Sequence, residues 1–578
     1  MRRTICLVAA LLPFAGMAQT GKKEYPRNYF RNPLNIPILL AGNFGECRSG
    51  HFHSGLDIKT QGKENLPVYA AAEGYISRIK TEKGGFGHAI YITHPNGYTT
   101  VYAHLNKFTP YLQTYLRKQQ YQRSRWDLDL PLSPAQFPVK KGQQIAWSGN
   151  TGGSSAPHLH FEIRDNETEH PLNPQLFGLT VADDVSPVIH DIVLYTGNVY
   201  EDEKLVVSMV KKGSQYKPAR TSNSSYKIKG ENVQVPSGMT GIGVSVDDYM
   251  NGSSNTITFY QARLFLDGAL QSEVTLDNIS YSVSRYMHAY ADYKMHEQNH
   301  KWVQCFFRLP GNKLRSLYSE LNKDDGWVLL GSDTTFHELR VEIEDNNGNV
   351  SEASMILDPQ RRDTTTVEAP DDCNNKVSYD KLYEYRAPAI SFTLSSGHLY
   401  DDICIYVKTL PAPDALSDRF QVHYPYVPVH NYFDLKLKPN KTIPIELKSK
   451  VVLMYNDGKD EDGREASLFD QGWYKARVRN FGTYWLALDT TAPVITSVHK
   501  DGANLSKTER LSLTVKDAIT SVHKFSGYID DVWVCFEQHR NSFFYEFDEH
   551  CLRGKHHLMF KAEDENGNES RFEMDFSR

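Results

Sequence analysis

The sequence predicts a mainly β chain of several domains: an N-terminal antiparallel β-sheet domain followed by several β-sandwich domains. Three observations carry that expectation. Short runs of alternating or β-branched apolar residues recur from about residue 35 onward, glycine and Asn-Gly steps break them at short intervals, and helical periods are few. At 578 residues the chain is too long for one core, and at roughly 100–200 residues per domain it is expected to hold about three to five. Net charge is only −6, with 64 basic and 70 acidic residues interspersed, so no nucleic-acid partner is expected.

The N-terminal stretch MRRTICLVAALLPFAGMAQT carries two arginines, an apolar run from about Ile5 to Phe14 and small residues ending at Ala18. This is the pattern of a secretory signal over 1–18 with Gln19 as the mature start, and it predicts export across the inner membrane to a periplasmic or cell-envelope location. No later stretch approaches the ~20 apolar residues of a membrane helix, so no transmembrane segment is expected after signal removal. Cys6 sits inside the apolar run rather than at the cleavage point, which argues against a lipid-modified cysteine. Cys47, Cys305, Cys373, Cys404, Cys535 and Cys551 remain, and an oxidising compartment permits disulfides among them. Cys535 with Cys551, flanking the loop FEQHRNSFFYEFDEH, is the first pair expected to close.

A first domain is expected over 19–180. LPVYAAAEGYISRIKT, HAIYITHP, YTTVYAHL, QQIAWSG and HLHFEIR read as strands, broken at Gly74, Asn96-Gly97 and Gly142. Pro95-Asn96-Gly97 between two strands signals a hairpin, because Asn-Gly tolerates the positive φ of a tight turn. One segment, about 108–137, interrupts the pattern. It places Thr109 at a cap position, Pro110 at the first helical position, and Leu112, Tyr115, Leu116 and Gln119 on one face of a short helix. Its basic residues Arg117, Lys118, Arg123 and Arg125 read as a solvated face, with attraction of an anionic wall polymer as the alternative.

From about Val181 the chain becomes β-rich and aromatic-rich, and two parts of it resemble each other. VSPVI from Val185 and TAPVI from Thr491 open them, VSVDD near Asp247 and LTVKD near Asp517 lie inside, and EDNNGNVSE from Glu344 and EDENGNESR from Glu563 close them. A repeated strand start, mid-strand Asp and terminal D-x-N-G-N turn predicts a reused Ig-like β-sandwich module. The longer copy is expected over 181–358 with an insertion, and the shorter over 490–578. A polar linker, 359–378, and a third β-rich domain, 379–489, are expected between them. No catalytic constellation is legible in this half.

The chemistry-bearing residues lie in the first third. His53 and Asp57 sit four apart in HFHSGLD, with Gly55 between them to let the backbone bend. His158 and His160 in SAPHLHFEI share one face if that segment is a strand, while Leu159 and Phe161 take the other. His104 in YAHL is a further imidazole. Catalytic zinc takes three ligands of His or carboxylate type and keeps a fourth position for water. One of the His158/His160 pair can bind metal while its neighbour faces substrate, and His104 is the remaining candidate for moving protons or steadying an oxyanion.

Taken in order, NFGECRSGHFHSGLDIKT, VYAAAEGYIS, YTTVYAHLN and VKKGQQIAWSGNTGGSSAPHLHFEIRDN resemble the motif set of the lysostaphin/LytM-type zinc metallopeptidases, which cut peptide bonds in bacterial peptidoglycan. The resemblance covers about residues 35–178. It implies that His53, Asp57 and His160 ligate Zn2+, that His104 and His158 are the catalytic histidines, and that the site lies in a groove across a small antiparallel sheet. Two departures stand out. About thirty residues separate the YAHL strand from the VKKGQ turn, where the family has a short connection, and the β-rich tail lies outside the family pattern.

The neighbours have plainer readings: His51 as a bystander, Cys47 as a disulfide or buried thiol, His94 as structural. Asn43 reads as a turn residue, with occupation of the open metal position in a latent form as the alternative. The sequence thus predicts an exported zinc endopeptidase acting on stem or cross-link peptides of peptidoglycan, with a wall or protein partner for the β-rich tail. The alternatives are a non-catalytic wall-binding or hydrolase-activating protein of the same fold, and an adhesin or scaffold with an ancestral peptidase domain.

Overall fold

A computed structural model describes residues 24–200, 204–219, 228–229, 232–331, 335–360, 373, 375–459 and 463–578. The leader expected at 1–18 and most of the linker expected at 359–378 lie outside the described residues. The fold is mainly β throughout, and no described helix is long and apolar enough to cross a membrane.

The N-terminal part is built on an antiparallel sheet. Its strands are β1 (Leu40–Gly42), β2 (Leu56–Lys59), β3 (Gly74–Thr81), β4 (His88–Thr93), β5 (Tyr98–Ala103), β6 (Asp129–Pro131) and β7 (His158–Asp165). They are ordered β1-β2-β7-β5-β4-β3-β6. Strands close in sequence pair as hairpins, and the β4–β5 turn ends on Gly97 at φ +86°. Strand β7 comes from far down the chain and inserts between β2 and β5, so His160 lies opposite Asp57 on one side and Ala103 on the other. Period-two alternation sends Leu159, Phe161 and Ile163 into a core with Leu56, Ile58, Ile76, Ile90, Ile92 and Tyr102. His158, His160, Glu162 and Arg164 are left on the other face. A small sheet of Pro67–Tyr69, Gln144–Ser148 and Leu105–Phe108 packs beside it.

Helix α1 (Pro110–Arg123) follows Thr109, whose hydroxyl bonds the Ile145 carbonyl rather than capping the helix. Its inward face is Leu112, Leu116 and Gln120. Gln120 replaces the expected Gln119 because a spacing of four keeps one face in register, and its amide donates to the Trp126 carbonyl at 2.6 Å. The basic face is not simply solvated: Arg117 is turned onto Glu537 at 3.1 Å, with both side chains largely buried. The rest of the segment returns as β6, an added edge strand on β3.

Residues 188–360 form a 13-stranded arrangement, with helical turns between Ser284 and Asn299. Two five-stranded sheets follow between Tyr383 and Leu488. A four-stranded and a five-stranded sheet between Val494 and Ser577 enclose a core of Leu511, Leu513, Val515, Leu558, Phe560 and Met574. The bridge present is Cys373–Cys404, whereas Cys535 and Cys551 are free buried thiols. The sulfur of Cys535 faces the Arg117 guanidinium instead of its sequence neighbour.

The parts close on one another. Phe44 and Phe52 of the N-terminal part bury in the core of residues 188–360, while Met250 and Ile257 bury in the core of the N-terminal part. The C-terminal sandwich returns to helix α1 through Tyr121, which stacks on His550 at 3.7 Å and donates to Asp548 at 2.6 Å. Arg540 donates to the Ser154 carbonyl in the loop leading to β7.

Candidate metal centre and active site

His53 Nε2, Asp57 Oδ1 and His160 Nδ1 converge. The two ring nitrogens are 3.1 Å apart, and the carboxylate oxygen lies 3.0 Å from His53 and 2.9 Å from His160. Asp57 and His160 are brought together by the β2–β7 register. His53 reaches them because the chain between it and β2 passes tightly under β7. A Cβ on Gly55 would stand 2.4 Å from the Phe161 carbonyl oxygen. That contact, rather than a positive φ, is what requires glycine there.

The outward ring nitrogens settle the tautomers. His53 Nδ1–H donates to the Asn43 carbonyl at 2.7 Å, and His160 Nε2–H donates to Glu162 at 2.9 Å. Three lone-pair atoms then face one another with no proton between them. Such an arrangement is repulsive unless a cation sits among them, and tetrahedral zinc ligands at about 2.0–2.1 Å from the metal stand roughly 3.3 Å apart. The donors therefore fit a nitrogen- and oxygen-liganded divalent cation. Without one, the nearest substitute is a proton. Burial opposes charge on His160, but Asp57 and Glu162 raise it to about 9. Burial likewise works against the Asp57 charge, yet the surrounding histidines hold it well below the usual carboxylate range.

The two other histidines line the same side. His104 directly follows β5 and sits at φ +57°, a left-handed conformation unusual for a residue with a side chain and one that clusters at functional sites. Its Nδ1–H donates to the Thr151 carbonyl at 2.8 Å, and its ring stands 4.7 Å from that of His158. His158 Nδ1–H donates to the Ala156 carbonyl at 2.8 Å, which leaves Nε2 3.4 Å from Asp57 Oδ1. Burial, with the His160 and His158 rings beside it, pushes His104 down to about 3, so it is a neutral imidazole at neutral pH.

Asn43 does not enter the site. Its side chain is spent on the Thr258 backbone, donating to the carbonyl at 2.7 Å and accepting from the N–H at 2.9 Å. His51 is exposed, and His94 bonds the Glu73 carbonyl and the Thr100 hydroxyl away from the site.

Sequence reasoning missed the support around His160. Glu162 is fully buried and also accepts from Ser54 Oγ, Arg164 Nε and Tyr281 OH at 2.5, 2.6 and 2.7 Å. Glu162 and Arg164 were within reach of the period-two reading of HLHFEIR, whereas no local signal marks Tyr281. Arg164 also lies against the rings of Phe86, Tyr91 and Tyr281. Beyond it a cleft runs over the sheet, lined by Tyr75, Arg78, Tyr91, Thr99 and Asp129. Asp129 belongs to β6, so the segment expected at 108–137 supplies one wall of that cleft.

Residues 51–121 and 132–174 match Peptidase family M23. The N-terminal domain belongs to peptidase family M23. The gap in the match falls on the segment that carries the end of helix α1 and β6. Over 122 residues the M23 domain is 37% identical to DD-carboxypeptidase/endopeptidase Mpg of Neisseria meningitidis serogroup B, covering 21% of this chain and 22% of that protein. Over 147 residues it is 33% identical to the murein hydrolase activator NlpD of Salmonella dublin, covering 25% of this chain and 31% of the relative. The chain thus spans between a fifth and a third of the length of these relatives. The catalytic domain of lysostaphin from Staphylococcus simulans aligns at 26% identity and TM-score 0.18, over 24% of this chain and 90% of the other. Residues 374–489 match a Zu5-like domain.

Proposed function

We propose that the M23 domain is a zinc-dependent endopeptidase that cleaves stem or cross-link peptides of peptidoglycan, in an exported protein of the cell envelope. His53, Asp57 and His160 hold the metal, and His104 and His158 are the catalytic histidines. The observation that carries this reading is the convergence of three lone-pair donors whose remaining ring protons are committed outward, with the His104 and His158 imidazoles on the open side. Zinc held by these three residues would supply Lewis-acid polarisation of the scissile carbonyl and activation of water for attack. The chain's own residues do the rest. The carbonyls of Thr151 and Ala156 fix the His104 and His158 tautomers, so each presents Nε2 toward the peptide. One accepts the proton released on attack, and the other, once protonated, steadies the carbonyl oxygen or returns a proton to the leaving amine. Glu162 keeps His160 oriented and basic.

The test is digestion of purified sacculi with mass spectrometry of the fragments. The full chain should release muropeptides with newly freed amino termini, and His160→Ala or a chelator should abolish release by at least about 100-fold. Sacculus binding without release in the zinc-loaded wild type overturns the endopeptidase in favour of a non-catalytic activator.

A further inference from the structure

The two related sandwich modules each gather three aspartates at the point where the chain enters the module. In the first they are Asp183, Asp248 and Asp345; in the second Asp489, Asp517 and Asp564. Within each trio, one carboxylate oxygen from every residue lies within 4.8 Å of the others. The positions correspond. Asp183 and Asp489 precede the VSPVI and TAPVI strand starts, Asp248 and Asp517 end VSVDD and LTVKD, and Asp345 and Asp564 open the D-x-N-G-N turns.

The surroundings correspond as well. Asp345 accepts from the N–H groups of Asn347 and Asn349 and from the Asn349 amide at 2.7 Å, and Asp564 accepts from Asn566, Asn568 and the Asn568 amide at 2.7 Å in the same way. Asn349 and Asn568 also reach back to the main-chain carbonyls of Asp183 and Asp489. What these networks leave over is the informative part. Asp248 is only 1% exposed, yet its Oδ1 accepts no hydrogen bond from any described residue; Asp517 is partly buried, its Oδ1 accepting from the Ile519 and Thr520 N–H groups while its Oδ2 has no described partner. A buried, unsatisfied carboxylate oxygen beside two more carboxylates is costly without a positive charge. Among the described residues no Lys, Arg or His forms an ion pair with any of the six, and the charges acting on Asp183, Asp248 and Asp489 are those of other aspartates.

We propose that each aspartate trio binds one calcium ion, which locks the entry segment of its module to the two loops that hold the other carboxylates. The donor set is oxygen only, which selects a hard cation, and calcium at 2.3–2.6 Å accommodates oxygens up to about 5 Å apart in a loop-built site. The first ion would fasten the junction between the M23 domain and residues 188–360; the second would fasten the junction between residues 383–488 and the C-terminal sandwich. Burial, with the Asp345 carboxylate beside it, pushes Asp248 up to about 8, as expected of crowded carboxylates with no counter-charge.

The experiment is calorimetric titration of calcium chloride into the full-length, zinc-supplied protein, beside the isosteric variants Asp248→Asn and Asp517→Asn. Binding of one ion per trio is expected, with a Kd of about 0.1–1 mM, a rise in thermal midpoint on calcium addition, loss of one ion in each single variant and of both in the double variant. The midpoint of each variant without calcium reports whether it folds. No binding at about 10 mM calcium, a stoichiometry other than one per trio, or undiminished binding by the folded double variant overturns the proposal.

Discussion

His94 shows how a single side chain divides its work between fold and pH response. It is buried against Glu73 and Thr100, and burial pushes it down to about 4. The unfolded chain takes up this proton near pH 6.5, whereas the folded protein resists until about pH 4, so between those values the unfolded state binds more protons. The stabilisation is complete above about pH 6.5 and is lost as pH falls toward 4. Thermal midpoints of wild type and His94→Gln should therefore converge as the solution is acidified through this window; a constant difference sinks the assignment. Gly55 makes the complementary point for the candidate metal centre: what decides a residue there is the distance to the strand passing over it.

Helix α1 is the element whose role changed most. Of its basic side chains Arg117 docks on Glu537, whereas Lys118, Arg123 and the following Arg125 are exposed as a solvated face; Lys107, just before the helix, reaches Glu546 at 3.5 Å, and Tyr121 stacks on His550. Only 14% of the Arg117 side chain and 10% of the Glu537 side chain remain exposed, so Arg117→Ala strands a carboxylate left with the His88 ring at 3.5 Å. The expected cost is about 3 kcal/mol at this interface. Hydrogen exchange should rise in residues 110–123 and in the C-terminal sandwich together; acceleration confined to the helix, or none, would mean the contact does not hold the two parts.

At the scale of the whole molecule, the M23 domain borrows support from residues 188–360. Thr258 orders Asn43, whose carbonyl orients His53, and Tyr281 donates to Glu162, which orients His160. The cores interlock in the same place, and burying Phe44 and Phe52 stabilises that union by about 1.5–3 kcal/mol per ring. Outer hydrogen bonds of this kind tune metal affinity by about 10–100-fold. Tyr281→Phe should then weaken zinc retention against a competing chelator by about 10-fold with little change in thermal midpoint. Unchanged retention would assign Tyr281 to packing alone.

What the sequence determined by itself is local. Period-two alternation in HLHFEIR, the Asn96-Gly97 turn and the Thr109-Pro110 helix start were all legible, because side-chain alternation and turn chemistry act over a few residues, and the five candidate site residues stood out as an ordered set of motifs whose roles are proposals. The repeated Asp and D-x-N-G-N marks were legible too, though not that their carboxylates meet. Tertiary structure decided the rest. It placed Arg117 on Glu537 across 420 positions, Tyr281 on Glu162 across 119 and Asn43 on Thr258 across 215. It also chose Cys373–Cys404 over the pair beside one hairpin. Such contacts depend on which finished surfaces pack together, and a pattern read along the chain carries the faces of its elements but not their partners.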